Sequence, residues 1–131
     1  MIKLIVPGNP VSKGRPRVCK WGTYTPEKTV NYETLIKELF IVSNQEKLNG
    51  ALSLDMRAFF PIPKSTSKKN RELMIEQQIF PTKKPDLDNI IKIIGDSLNG
   101  LAYDDDSQII TVLAQKAYSD NPRVEITIRE E

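Results

Sequence analysis

The chain contains no histidine. That absence removes the Ser-His-Asp triad, the His-activated cysteine, the facial-triad iron site and every His-containing zinc site, so catalysis would have to run on carboxylates, lysine or hydroxyls. There is one cysteine, Cys19, which can form neither an internal disulfide nor a thiolate zinc site and agrees with a reducing compartment. No stretch approaches the roughly 18 apolar residues that span a bilayer, and the opening MIKLIVPGNP lacks the long apolar run of a signal peptide. The expectation is a cytoplasmic protein with no membrane segment. Like charges nowhere run further than the three aspartates at 104–106, which excludes a disordered polyelectrolyte tail.

What is present fits one folded domain. The length is 131 residues, 39% of them hydrophobic and 27% charged, and a single domain spanning 1–131 is expected. The net charge of +2 is unevenly spread: residues 1–40 hold seven Lys/Arg against three Asp/Glu, residues 61–84 six against two, and residues 85–106 one lysine against six aspartates. Two basic segments beside an acidic block suit a protein that holds a polyanion together with a divalent cation. Charge alone is more simply read as solvated surface.

Residues 2–6 read as a strand stopped by Pro7-Gly8-Asn9-Pro10. Residues 11–26, where Lys13, Arg15, Arg17 and Lys20 alternate with Trp21 and Tyr24, have no apolar face and suggest a loop or irregular hairpin. A helix capped by Thr25 or Thr29 then runs to about Ser43, burying Tyr32, Leu35, Ile36, Leu39 and Phe40. Alternation over 52–60 gives a half-buried strand, and 65–78 a short surface helix. Residues 86–98 carry Leu87, Ile90, Ile91, Ile94 and Leu98 on one side, with Asn99-Gly100 as the stop. The β-branched runs 109–117 and 124–128, joined by Ser119-Asp120-Asn121-Pro122, predict an antiparallel hairpin. The fold class is α+β: a mixed sheet of about four strands with two or three helices packed on it.

The acidic block carries the chemistry. Asp86 and Asp88 fall in the first helical turn, where backbone N–H groups favour carboxylates, and Asp86 is also a credible N-cap. Asp88, Lys92 and Asp96 lie four apart, on the side opposite the apolar stripe, where Lys92 would form ion pairs worth about 0.2–0.5 kcal/mol each. A second group, Asp104-Asp105-Asp106, follows the helix. These acids converge with Asp86 and Asp88 if the strand at 109–117 runs antiparallel to the helix; because the helix is roughly 20 Å long, the connection must travel back or a neighbouring element must bring the ends together. An all-carboxylate set suits Mg²⁺ or Mn²⁺ and phosphodiester hydrolysis, with Lys92 stabilising charge on the phosphate. An EF-hand is disfavoured because the contiguous acids lack alternating ligand spacing.

The string Lys84-Pro85-Asp86-Leu87-Asp88-Asn89, followed by Lys92, Asp96 and Asp105-Asp106-Ser107-Gln108, resembles the signature of the RusA family of Holliday junction resolvases. The chain departs from that pattern in a segment one residue shorter between Asp96 and Asp106, and in a basic run of only Lys83-Lys84 before the motif where the family has an arginine cluster. The resemblance implies a homodimeric, Mg²⁺-dependent endonuclease of recombination and repair, often phage- or prophage-encoded, that makes paired nicks at a four-way DNA junction. Carried onto this chain, it implies Asp86, Asp88 and Asp106 as metal-binding carboxylates, with Asp105 an alternative or supporting ligand, and Lys92 as the catalytic lysine. Lys13, Arg15, Arg17, Lys20, Lys83 and Lys84 would contact DNA phosphates. Trp21 and Tyr24 are expected in the core, stacking on unpaired bases being their other use. A non-catalytic DNA-binding module and a metal nuclease acting on other branched DNA remain as alternatives.

Overall fold

The computed structural model describes residues 1–14 and 17–131. In chain order the elements are β1 (Ile2–Pro7), a small hairpin of β2 (Arg17–Cys19) and β3 (Gly22–Tyr24), α1 (Glu27–Ser43), β4 (Leu52–Pro61), α2 (Lys68–Ile75), α3 (Leu87–Leu98), a single 3₁₀ turn (Asp106–Gln108), β5 (Ile109–Ser119) and β6 (Arg123–Glu130). β1, β6, β4 and β5 form one sheet in that spatial order; β4 and β5 are parallel and the other pairs antiparallel. The α+β class with a mixed four-stranded sheet is as expected, and no helix among the described residues is long and apolar enough to cross a membrane.

The core lies between the helices and one face of the sheet. Ile2, Leu4 and Val6 of β1, Leu54, Met56, Ala58 and Phe60 of β4, and Val124, Ile126 and Ile128 of β6 are buried with Tyr32, Ile36 and Phe40 of α1 and Ile90, Ile93, Ile94 and Leu98 of α3. Period-2 strands meet period-3.6 helices across a single apolar layer.

Three expectations are corrected. The runs at 109–117 and 124–128 do not pair with each other: β4 lies between β5 and β6. The reason is β4 itself: its core face, the alternate positions from Leu52 to Phe60, is wholly buried while Arg57 on the other face is exposed, so the strand is half-buried as expected, but it lies in the interior of the sheet and not at its edge. A central strand needs a ladder on each edge, and residues 120–122 reach across the roughly 10 Å of two strand spacings. α1 starts at Pro26 without a side-chain cap bond; Thr29 is buried inside the helix, where its Oγ1 accepts the Gly14 N–H at 2.9 Å. Trp21 and Tyr24 are not core residues, being 88% and 51% exposed on the β2–β3 hairpin.

Ile94 is 1% exposed and its replacement by alanine keeps helix propensity while opening a void beneath α3. Ile94→Ala is expected to lower the unfolding free energy by about 2–5 kcal/mol in urea denaturation, with the slope unchanged.

Candidate active site

α3 positions the first group of functional side chains. With Ile90, Ile93, Ile94 and Leu98 buried, Asp88, Lys92 and Asp96 occupy the outward side. Asp86 holds the N-cap position with extended backbone, but its carboxylate makes no cap bond and instead accepts from Lys84 Nζ at 2.8 Å. The i,i+4 ion pairs expected for Lys92 are not formed: none of the ion pairs among the described residues involves it. Asp96 pairs with Lys13 at 3.4 Å instead.

β5 runs antiparallel to α3, but because it starts at the C-terminal end of the helix it puts Asp106 near Asp96, and the expected convergence with Asp86 is not formed. The strand starts beside Asp96, and Lys116 near its far end donates to the Lys83 carbonyl ahead of the helix. A bulge at Ile110 shifts the β4–β5 register, so that Val112 pairs with Leu54 and joins Ile109 on the face toward α3. The result is an open cleft of about 420 Å³ with Lys92, Asp96 and Asp106 around an apolar floor of Leu54, Ile91 and Val112.

Asp106 is placed by its neighbours. Asp105 and Gln108 form a capping box around the 3₁₀ turn: the Asp105 side chain accepts the Gln108 N–H, and Gln108 Oε1 accepts the N–H groups of Asp104 at 2.9 Å and Asp105 at 3.0 Å. Gln108 Nε2 ties the turn to the Gly50 carbonyl, and Asn99 Oδ1 accepts the Asp106 N–H at 2.8 Å. Asp105 is thereby occupied, also accepting from the Ser107 hydroxyl, and that bond chiefly lowers its pKa. Asp106 faces the cleft; desolvation, then the charges of Asp105 and Asp96, raise its pKa above the ordinary carboxylate value. Beneath them Tyr103, buried, donates to the Gly95 carbonyl at 2.7 Å, and burial followed by the charges of Asp106, Asp96 and Asp105 holds its hydroxyl protonated.

Asp86 lies elsewhere, in a second cleft of about 510 Å³ shared with Gly14, Arg17, Lys28, Lys84 and Asn89. Asp88 is exposed on α3 between the two clefts, about 6 Å of helix rise from Lys92. Among the described residues, no three acidic side chains are gathered closely enough to chelate one ion as they stand. The donors are nonetheless hard carboxylate oxygens bordering open clefts, the ligand type that a hard divalent cation takes.

Of the expected DNA-contacting cations, Arg17 and Lys84 line the second cleft, and Lys20 and Lys83 are exposed. Lys83 Nζ lies over the Tyr118 ring. Arg15 falls outside the described residues. Lys13 is turned inward: its N–H donates to the Asn89 carbonyl, and its ammonium bridges Glu33 at 3.0 Å and Asp96. Burial opposes its charge, but Glu33 and Asp96 outweigh that and raise its pKa. Gly14 completes the clamp, since a Cβ there would stand 2.7 Å from Thr29 Oγ1. The roles of Asn99 and Gly14 depend on tertiary contacts that sequence spacing does not show, whereas the Asp105–Gln108 spacing carries a local signal, that of a capping box.

Replacing Asp106 with asparagine removes like-charge repulsion, so thermal denaturation should find Asp106→Asn at least as stable as wild type. The sign follows from its raised folded-state pKa: ionisation of Asp106 costs stability as pH rises, whereas the depressed Asp105 contributes stability that is lost in acid. Gln108→Ala, which opens the capping box, is expected to cost about 0.5–2 kcal/mol by the same measurement.

Residues 7–129 match the family described as Endodeoxyribonuclease RusA. The chain is 38% identical over 139 residues to "Uncharacterized protein YqaN" of Bacillus subtilis (strain 168), covering 98% of this chain and 96% of that protein. It is 35% identical over 81 residues to "Crossover junction endodeoxyribonuclease rusA" of Lactococcus phage r1t, covering 52% of this chain and 62% of the phage protein. With the acidic helix, the lysine cleft and the capped D-D-x-Q turn in place, this match over nearly the whole chain means that the protein belongs to the RusA endodeoxyribonuclease family.

Proposed function

We propose that this protein is a divalent-metal-dependent, structure-specific DNA endonuclease that resolves four-way junctions by paired, symmetric nicks. The observation that carries this reading is the cleft where Lys92, with no carboxylate partner among the described residues, stands beside Asp96 and Asp106 on the acidic side of α3. Asp86, Asp88 and Asp106 are the proposed metal carboxylates and Lys92 the catalytic lysine. A hard divalent cation, when bound, supplies polarisation of a phosphoryl oxygen and a lowered pKa for an attacking water. Lys92 places its ammonium against the charge that develops on the phosphate or leaving oxygen. Lys13 keeps Asp96 neutralised at the cleft wall, and Asp105 and Gln108 hold the turn that aims Asp106. Arg17, Lys28 and Lys84 around the second cleft are positioned to take flanking phosphates.

The same reading includes a homodimer, because a four-way junction has approximate two-fold symmetry and paired cuts need two equivalent sites. Its proposed surface is β5, whose outer edge has no strand partner among the described residues. Residues 109–115 carry no charge, and Ile110 and Leu113 are 64% and 66% exposed. Such an edge is self-complementary for antiparallel pairing with a second copy. The same strand carries Val112, which lines the Lys92 cleft, so a partner copy on this edge would lie near that cleft.

Cleavage of a synthetic four-way junction, a linear duplex and a flap with Mg²⁺ tests the activity. Paired nicks at the junction are expected, abolished by chelation and lowered on the order of 10²-fold or more in Lys92→Ala and Asp88→Asn. Equal cutting of all substrates would make the protein a general nuclease, and junction binding without cleavage a DNA-binding module. Leu113→Lys, on an exposed position, is expected to yield a folded monomer by sedimentation that loses the pairing of the two nicks.

A further inference from the structure

The β2–β3 hairpin contributes nothing to the core: all six of its strand residues are exposed, and so is the two-residue tip, Lys20-Trp21. Trp21 is 88% exposed, Val18 83% and Tyr24 51%. A lone exposed apolar residue is ordinary, but Tyr24 on one face of this short ribbon, Val18 on the other and the chain's single tryptophan at its end leave the ribbon unpartnered on both faces. Its charge identifies the occupant. Residues 10–26 contain Lys/Arg but no Asp/Glu, and no ion pair among the described residues uses Arg17 or Lys20.

The hairpin also has a direction. Arg17 and Tyr24 are directly paired, so they share one face of the ribbon, and Arg17 lines the cleft that holds Lys84 and Asp86. From Arg17 to the tip is about 10 Å, close to three nucleotide steps of roughly 3.4 Å. Lys20 Nζ sits 5.3 Å from the centroid of the Trp21 ring, covering one face of the indole and leaving the other to solvent. A cationic ribbon that leads away from the candidate cleft and ends in a free aromatic face has the parts of a stacking platform for a base whose partner has been lost.

We propose that the hairpin is a branch-point finger: Trp21 stacks on an unpaired base of branched DNA, about three nucleotides from the phosphate held beside Asp86, while Arg17 and Lys20 hold the intervening backbone. This assignment rests on the nuclease reading and adds to it how the protein distinguishes a branch from continuous duplex. Stacking needs an unstacked base, which a branch point offers and a paired duplex does not.

Because Trp21 is the only tryptophan, its emission reports directly on the contact. The full-length protein is titrated, without divalent ion, with a fluorescein-labelled four-way junction and with a fully paired duplex of the same length, reading tryptophan emission and fluorescein anisotropy together. Emission is expected to be quenched by the junction and to change little with the duplex, while anisotropy reports binding to both. Trp21→Ala should weaken junction binding about 10-fold and duplex binding by less than about 2-fold, with Trp21→Phe retaining most of the affinity and all three proteins melting together. Junction binding with unchanged emission, or a Trp21→Ala variant that binds the junction as wild type does, would overturn the finger and leave the nuclease reading standing. Emission that follows protein concentration without DNA would assign the hairpin to contact between copies and likewise overturn it. Failure of the wild type to bind either DNA would overturn both readings.

Discussion

Burial of Ile90, Ile93, Ile94 and Leu98 against the sheet commits the opposite side of α3 to solvent, and the chemistry of the protein depends on that commitment. A helix with one apolar stripe has a single stable rotation over a sheet, so Asp88, Lys92 and Asp96 are held outward by core packing and not by contacts of their own. The same packing decides where the following strand can return. β5 comes back along α3 as the parallel neighbour of β4, and the bulge at its start turns Ile109 and Val112 under Lys92.

Gathering acids is costly unless something offsets their repulsion. Here the offsets are local and distinct. Lys13 is drawn out of the basic loop to serve Glu33 and Asp96, and Gly14 permits the approach that fastens the loop to α1. Asp105 is taken up by the turn it caps. Asp106 alone is left with an unfavourable surrounding, its pKa raised, facing an open cleft beside a lysine. The charges of Asp105 and Asp96 that crowd Asp106 are the kind of repulsion a bound cation would relieve, which is consistent with the proposed role of Asp106.

The basic residues divide in the same way. Counted along the sequence they form one segment, but in space Lys13 is a structural clamp, Arg17 belongs to the cleft at the start of α3, and Lys20 accompanies Trp21 at the hairpin tip. The second cleft and the hairpin share Arg17, and the hairpin ends at Lys20 and Trp21. The edge of β5 is uncharged over residues 109–115 and is the surface proposed for a second copy.

Local pattern alone determined the helices at 27–43 and 87–98, the four strands of the main sheet and the outward acids, because helical and strand periodicities act over a few residues. It misplaced what depends on distant partners. The 109–117 and 124–128 runs read as a hairpin because sequence adjacency is visible and the need of β4 for two neighbours is not. Trp21 read as core because residue type was visible and the lack of anything to cover it was not. Asp96 is engaged by Lys13, which crosses from another part of the chain, and no ion pair among the described residues involves Lys92. Which carboxylates share a cleft, and which cations reach them, was decided by tertiary structure, since electrostatic partners are set by distance in space and the sequence records only distance along the chain.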